Sequence, residues 1–148
     1  MLEEIFSYFL DIIDRFTPGF VKPDQLIKFL VAGFLGLIVD TGLLYIFVEF
    51  VGFSPRLSKL ISTESAIIMI FFINESWTYK DHRPGTLLTR FLKSNGFRLV
   101  GLVVGVFTIQ VFLDFGLHLV VANLLSIGLE LIFNYTFETL VTWKAHKS

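Results

Sequence analysis

The chain has 148 residues, 54% of them hydrophobic and only 17% charged, with a formal net charge of −1. A soluble domain carries about 45–50% apolar and about 25% charged residues. With a mean hydropathy of +0.73, this composition disfavours a soluble enzyme and excludes a disordered, collagen-like or disulfide-stapled chain. The absence of Cys removes disulfides and thiolate metal sites, and leaves the redox compartment unmarked.

In chain order, residues 1–16 come first. Leu2, Ile5, Phe6, Phe9, Ile12, Ile13 and Phe16 fall at helical spacing, with Glu3, Glu4, Ser7, Asp11 and Asp14 mostly opposite. The pattern predicts an amphipathic helix that ends at a Pro18-Gly19 break. Its polar face is acidic, whereas a helix bound to anionic lipid carries Lys and Arg, so it reads as packing against the bundle or a neighbouring copy. With no basic n-region and no small-residue cleavage site, the segment does not read as a signal peptide. Four long apolar segments follow, at about Ile27–Phe50, Leu57–Tyr79, Phe97–Phe115 and Leu119–Thr142. Each is near the roughly twenty residues that cross a hydrocarbon core of about 30 Å. The fold class expected is all-α: a polytopic membrane protein of four transmembrane helices in two hairpin repeats, preceded by the amphipathic helix. Residues 1–25 form the N-terminal segment and residues 26–144 the transmembrane domain.

Lys and Arg set the orientation. Arg15, Lys22, Lys28, Lys80, Arg83, Arg90, Lys93, Arg98, Lys144 and Lys147 share one side of such a double hairpin, leaving only Arg56 and Lys59 for the other. Both termini are expected on the cytoplasmic side of a cell membrane. The second and fourth spans end alike, at Thr78-Tyr79-Lys80 and Thr142-Trp143-Lys144, a shift of 64 residues that also pairs Phe71 with Tyr135. Lys28-Phe29 with Gly33 resembles Phe97-Arg98 with Gly101. Tyr79 and Trp143 read as headgroup-level anchors beside a snorkelling Lys, and the hairpins as parallel repeats.

Three carboxyls lie deep within the spans. Asp40 and Glu130 lie near mid-span, and Glu64 about one turn outward of its centre. Each costs about 2.5–3.5 kcal/mol on insertion scales, so the set must be paired, protonated or wetted. Lys59 is the cation within that depth range. Any one of the three balances evenly between function and interhelical hydrogen-bond glue; the set favours function. Gly33, Gly36 and Asp40 share one helical face, and Gly101 and Gly105 form a small-xxx-small pattern continued by Thr108. Asn123, Glu130, Asn134 and Glu138 form one stripe, with Gln110 a further polar group; a hydrated groove or a polar helix contact would use them. Gln110 alone reads as glue.

The segment Lys80–Arg98 reads as a basic loop whose charges are topological or bind anionic headgroups. Lys28, Lys80 and Arg98 sit where lipid phosphates lie. His82, His118 and His146 lack ligand spacing, and His118 reads as solvated. No metal or cofactor is expected. No phosphate loop or nucleophile elbow is present, so no catalytic residue is assigned and the chain does not read as an enzyme. Nor do charge and fold class support nucleic-acid binding.

Lys28-Phe29-Leu30-Val31-Ala32-Gly33 followed by Asp40 resembles the opening of the GtrA-like family of small four-span membrane proteins. Asn74-Glu75-Ser76-Trp77-Thr78-Tyr79 resembles the family's Asn-Arg-Arg-Trp-Val-Phe ending, and Asn134-Tyr135 with Thr142-Trp143 the matching end of the fourth span. Glu75 and Ser76 replace the paired arginines, and Glu138 stands where a second Asn is expected. The resemblance covers about residues 26–144. It implies translocation or handling of polyprenyl-phosphate-linked sugars for cell-surface glycoconjugates, beside a membrane glycosyltransferase. Asp40, Glu64, Gln110, Glu130, Asn134 and Asn74 are then candidates to line the sugar path, and Lys28, Lys80 and Arg98 to meet the phosphate. Four helices hardly enclose such a path, so a homodimer or larger assembly is expected. Two other readings stand beside it: a non-transporting partner of the glycosyltransferase, and a proton-coupled exporter of small cations.

Overall fold

The computed structural model describes residues 1–16, 19 and 21–145, without the side chains of Phe6, Phe9, Leu10, Ile13, Asp14 and Phe16. The expected break at Pro18, the charge of Lys147, His146 and part of the apolar face of the first helix therefore lie outside the described residues.

Helix α1 spans Leu2–Phe16, with Glu3 and Glu4 in its first turn and Arg15 in its last, the arrangement that complements a helix dipole. Helix α2 spans Pro23–Ile46 and continues as a wide turn over Phe47–Val51. Helix α3 spans Pro55–Ile73 and widens over Asn74–Thr78. Helix α4 spans Leu87–Asp114, and α5 spans Leu119–Phe137 before widening over Glu138–Thr142. Among the described residues the fold is all-α, and four of the helices are long and apolar enough to cross a membrane. It is a multi-pass membrane protein.

Local chemistry places the ends. Pro23 and Pro55 sit in the first helical turn, where an N–H has no intrahelical partner to lose. Ser54 Oγ accepts from the Leu57 N–H at 3.3 Å and caps α3. Gly52, at φ 80°, ends the first span in the left-handed conformation that a side chain resists. His118 does the work of Ser54 in the second hairpin: its Nδ1 accepts from the Val120 N–H at 3.3 Å, so it is a cap rather than merely a solvated ring. The basic stretch Lys80–Arg98 is not a loop throughout. Thr86 Oγ1 accepts from the Thr89 N–H at 3.2 Å and starts α4 at Leu87, so Arg90, Lys93 and Arg98 are helical. Hydropathy marks where a helix enters lipid; a cap marks where it begins.

The chain divides into two compact units, Met1–Asp81 and the segment from His82 on. Helices α2 and α3 form an antiparallel hairpin in the first, and α4 and α5 another in the second. Their registers correspond. Pro55 and Leu119 begin the return helices, and Asn74 and Glu138 begin the wide turns, in both cases 64 residues apart. The buried residues Ser62, Phe71, Asn74 and Thr78 recur at that shift as Ser126, Tyr135, Glu138 and Thr142. Across the hairpins, a Cβ on Gly36 would meet Ile70, and one on Gly101 would meet Asn134, 64 positions after Ile70. Gly101 therefore corresponds to Gly36 and not to Gly33, which has open space around its Cα. The residue across the helix contact, not the cation at the helix mouth, sets the register.

Much of the surface is apolar, with Phe34, Leu37, Leu99, Val106 and Phe107 all exposed, as expected where the solvent is lipid. In the wide turns the Tyr79 N–H donates to Asn74 O at 2.8 Å and the Trp143 N–H to Glu138 O at 2.9 Å. These five-residue bonds, often found at functional positions, carry Tyr79 and Trp143 inward, and both are fully buried. The two rings are thus plugs rather than headgroup anchors. Trp77 is the exposed ring there, with Lys28 Nζ 5.9 Å from its centroid.

Candidate functional site

In the first hairpin the polar centre is Asp40. Its Oδ1 accepts from Ser62 Oγ at 2.7 Å and Thr63 Oγ1 at 3.0 Å, and its Oδ2 pairs with Lys59. Ser62 and Thr63 lie on α3 one turn beyond Lys59, so all three donors meet a carboxylate reaching over from α2. Lys59 therefore serves Asp40 and not its closer sequence neighbour Glu64. Glu64 is exposed and, two residues from Ser62, lies on another face of α3; the structure does not bring these two acids together. Asn74 is fully buried in its wide turn, its Oδ1 accepting from Thr78 Oγ1 at 2.9 Å. At the same end Lys28 pairs with Asp24 at 3.2 Å, and Lys80 is exposed.

The second hairpin holds a polar seam. Glu138 is fully buried; its Oε1 accepts from Ser94 Oγ at 2.6 Å and its Oε2 from Trp143 Nε1 at 3.0 Å. Arg98 Nε lies 3.6 Å from Oε1, with the Arg98 side chain 13% exposed. The charge read as a phosphate receptor is thus answered by a carboxylate. Beside it, Arg90 Nη1 donates to Pro84 O at 3.1 Å and Gly85 O at 3.0 Å, with its guanidinium 5.9 Å from the Trp143 ring. Sequence reasoning put Glu138 on the polar stripe without assigning it a site. The available signal was an acid at the repeat position of Asn74.

Along α5 from Glu138, Asn134 is buried against Gly101. One turn further, Glu130 is half-buried against Gly105 and makes no hydrogen bond to a described residue; its Oε2 lies 2.8 Å from where a Cβ on Gly105 would stand. Beyond it, a groove of about 220 Å³ opens between α4 and α5, lined by Leu102, Gly105, Val106, Ile109, Asn123, Ser126, Ile127 and Glu130. The small-residue spacing of Gly101 and Gly105 thus makes room for polar groups of α5. Gln110 is not part of this arrangement: it is exposed and donates to Asp114 Oδ1 at 2.8 Å.

The two hairpins and the polar stripe of the last helix are what the sequence motifs anticipated; the wide turns are seen only in the fold. Residues 28–143 match the family described as GtrA/DPMS, transmembrane domain. The chain belongs to that family. It is also 34% identical over 120 residues to a dolichol-phosphate mannosyltransferase of Pyrococcus furiosus, a match that covers 81% of this chain and 34% of that protein. The chain therefore spans about a third of the length of this curated relative. The family match takes in both hairpins and stops at Trp143, the ring that closes the second wide turn.

Proposed function

We propose that this protein binds polyprenyl-phosphate-linked sugars and carries their headgroups across the bilayer for cell-surface glycoconjugate synthesis. One observation supports this reading above the others. Glu130, near the middle of a membrane helix, opens on a groove and makes no hydrogen bond to a described residue. An ionisable group at that depth is costly and is by default functional. A sugar-phosphate headgroup needs polar groups on its way, while its polyprenyl tail stays in lipid. Lys28 and Lys80 are the cations proposed to meet the phosphate; Arg98 serves to compensate Glu138.

The test is headgroup flipping of a polyprenyl-phosphate hexose by the purified chain in proteoliposomes. Glu130→Gln is expected to lower the rate by about tenfold, a barrier change near 1.4 kcal/mol, with the folded protein still reconstituting. Asp40→Asn is expected to stay near the wild-type rate, because Asp40 is occupied by Lys59, Ser62 and Thr63. No flipping by the wild-type chain would overturn the translocase reading.

A second reading has its own support: the relative carries the matching region within a chain about three times as long. A membrane domain of that kind would anchor or regulate a glycosyltransferase. Copurification with such an enzyme, with no flipping by the chain alone, would favour it.

A further inference from the structure

Because the two hairpins share a register, each polar position in one has a counterpart in the other. In the first, Asp40 reaches from α2 to Ser62 and Thr63 and pairs with Lys59. In the second, Ser126 stands for Ser62 and Asn123 for Lys59, while Gly105, one turn from Gly101, stands for Asp40. The side chain that fills the first hairpin thus has no equivalent, and the groove of about 220 Å³ lies at that position. Ser126 lines it, is 3% exposed, and its Oγ has no hydrogen-bond partner among the described residues. Its counterpart Ser62 donates to Asp40 at 2.7 Å. A buried hydroxyl without a partner is costly, so a group supplied from outside the hairpin would satisfy it.

Charge narrows what that group is. No Lys or Arg lines the groove, Glu130 contributes a carboxyl, and Arg98, the cation whose charge reaches Glu130, lies 3.6 Å from the Glu138 carboxyl, so the lining itself offers a phosphate no cation. A carboxyl accepts, a hydroxyl donates and accepts, and the Asn123 amide does both: the set suits neutral hydroxyls. Leu102 and Val106 offer apolar walls to the C–H face of a ring. The volume is below the about 300–1,000 Å³ of drug-sized pockets, enough for one ring. Along α5 the groove runs from Asn123, about 6 Å past Leu119, to Glu130, about 16 Å past it. It begins about one helical turn inside the loop end of the hairpin.

We propose that this groove binds a single neutral sugar ring, entered from the loop end of the second hairpin. That the ring belongs to a lipid-linked sugar rests on the function proposed above; the hydroxyl-binding site itself does not.

The test uses the full chain in phosphatidylcholine vesicles with two diazirine-bearing probes, a dodecyl mannoside and dodecyl phosphate. The mannoside should crosslink to α4 or α5 beside the groove. Ser126→Ala should weaken its binding by about three- to tenfold, the worth of one hydrogen bond. Gly105→Leu should abolish it by filling the space. Dodecyl phosphate should bind all three proteins alike. Mannoside affinity unchanged in Ser126→Ala, crosslinks confined to the first hairpin, or parallel loss of both probes would each overturn the assignment. Ser126→Ala removes a single atom, so the test stands even where Gly105→Leu does not fold. Groove binding without flipping by the wild type would sink the translocase reading alone. Flipping with mannoside affinity unchanged in Ser126→Ala would sink the groove alone.

Discussion

Glu138 and Asp40 are both membrane acids, yet they lead to different expectations. Glu138 is fully buried with Arg98, Ser94 and Trp143 around it. Removing one partner of a buried pair strands the other charge, which costs about 3–5 kcal/mol. Glu138→Ala should therefore unfold far more readily in a denaturant titration in mixed micelles. Adding Arg98→Leu should recover part of the loss, since the double variant has no stranded charge. Asp40 is less buried, its side chain 16% exposed and that of its partner Lys59 54% exposed. Asp40→Ala leaves the Thr63 hydroxyl without its acceptor and the Ser62 hydroxyl with only the Lys59 carbonyl at 3.1 Å, and should cost about 1–3 kcal/mol. Lys59→Met, losing a half-exposed pair, should cost at most about 1 kcal/mol. That acids lie in these helices is legible in the sequence. Which acid receives Lys59 is not, because Lys59 is nearer in sequence to Glu64, and only the α2–α3 contact brings Asp40 to it.

Among elements, the hairpins depend on close helix approach at a few small residues. A Cβ on Gly36 runs into Ile70, whereas one on Gly33 meets open space. Gly36→Val should wedge α2 from α3 at about 1–3 kcal/mol. Gly33→Ala should gain about 0.5–1 kcal/mol from the reduced backbone entropy of Ala. The same titration distinguishes them, and equal effects would contradict the register. Both glycines look alike in the sequence, because they share a helical face and differ only in what faces them. The start of α4 was hidden for another reason. Arg90, Lys93 and Arg98 depress local hydropathy, but Thr86 caps the helix ahead of them.

At the scale of the whole molecule, the charge bias predicts sidedness. Because the chain contains no Cys, single-Cys variants report it cleanly. Glu4→Cys, Arg83→Cys and Lys144→Cys should react with a membrane-impermeant maleimide from one side of sealed vesicles, and Phe53→Cys and Leu117→Cys from the other. Labelling of Arg83→Cys and Phe53→Cys from the same side would refute the two-hairpin topology. The repeat was partly legible: the return helices show it through Thr78-Tyr79-Lys80 and Thr142-Trp143-Lys144. The leading helices misled, because cations near a helix mouth follow the membrane surface and not the helix contact.

Read alone, the sequence determined that this chain spans a membrane four times in two repeats, because hydropathy and span length are local properties that need no partner. It also set the spacing of the polar residues along each helix, since that spacing follows from position in the chain. Only the tertiary structure decided which of those residues are satisfied and which are available. Asp40 is occupied by α3, Glu138 is enclosed with Arg98, and Glu130 opens on a groove because Gly105 stands where the first hairpin has an aspartate. Pairing depends on which helix faces which, and that information lies between segments of the chain rather than within any one of them.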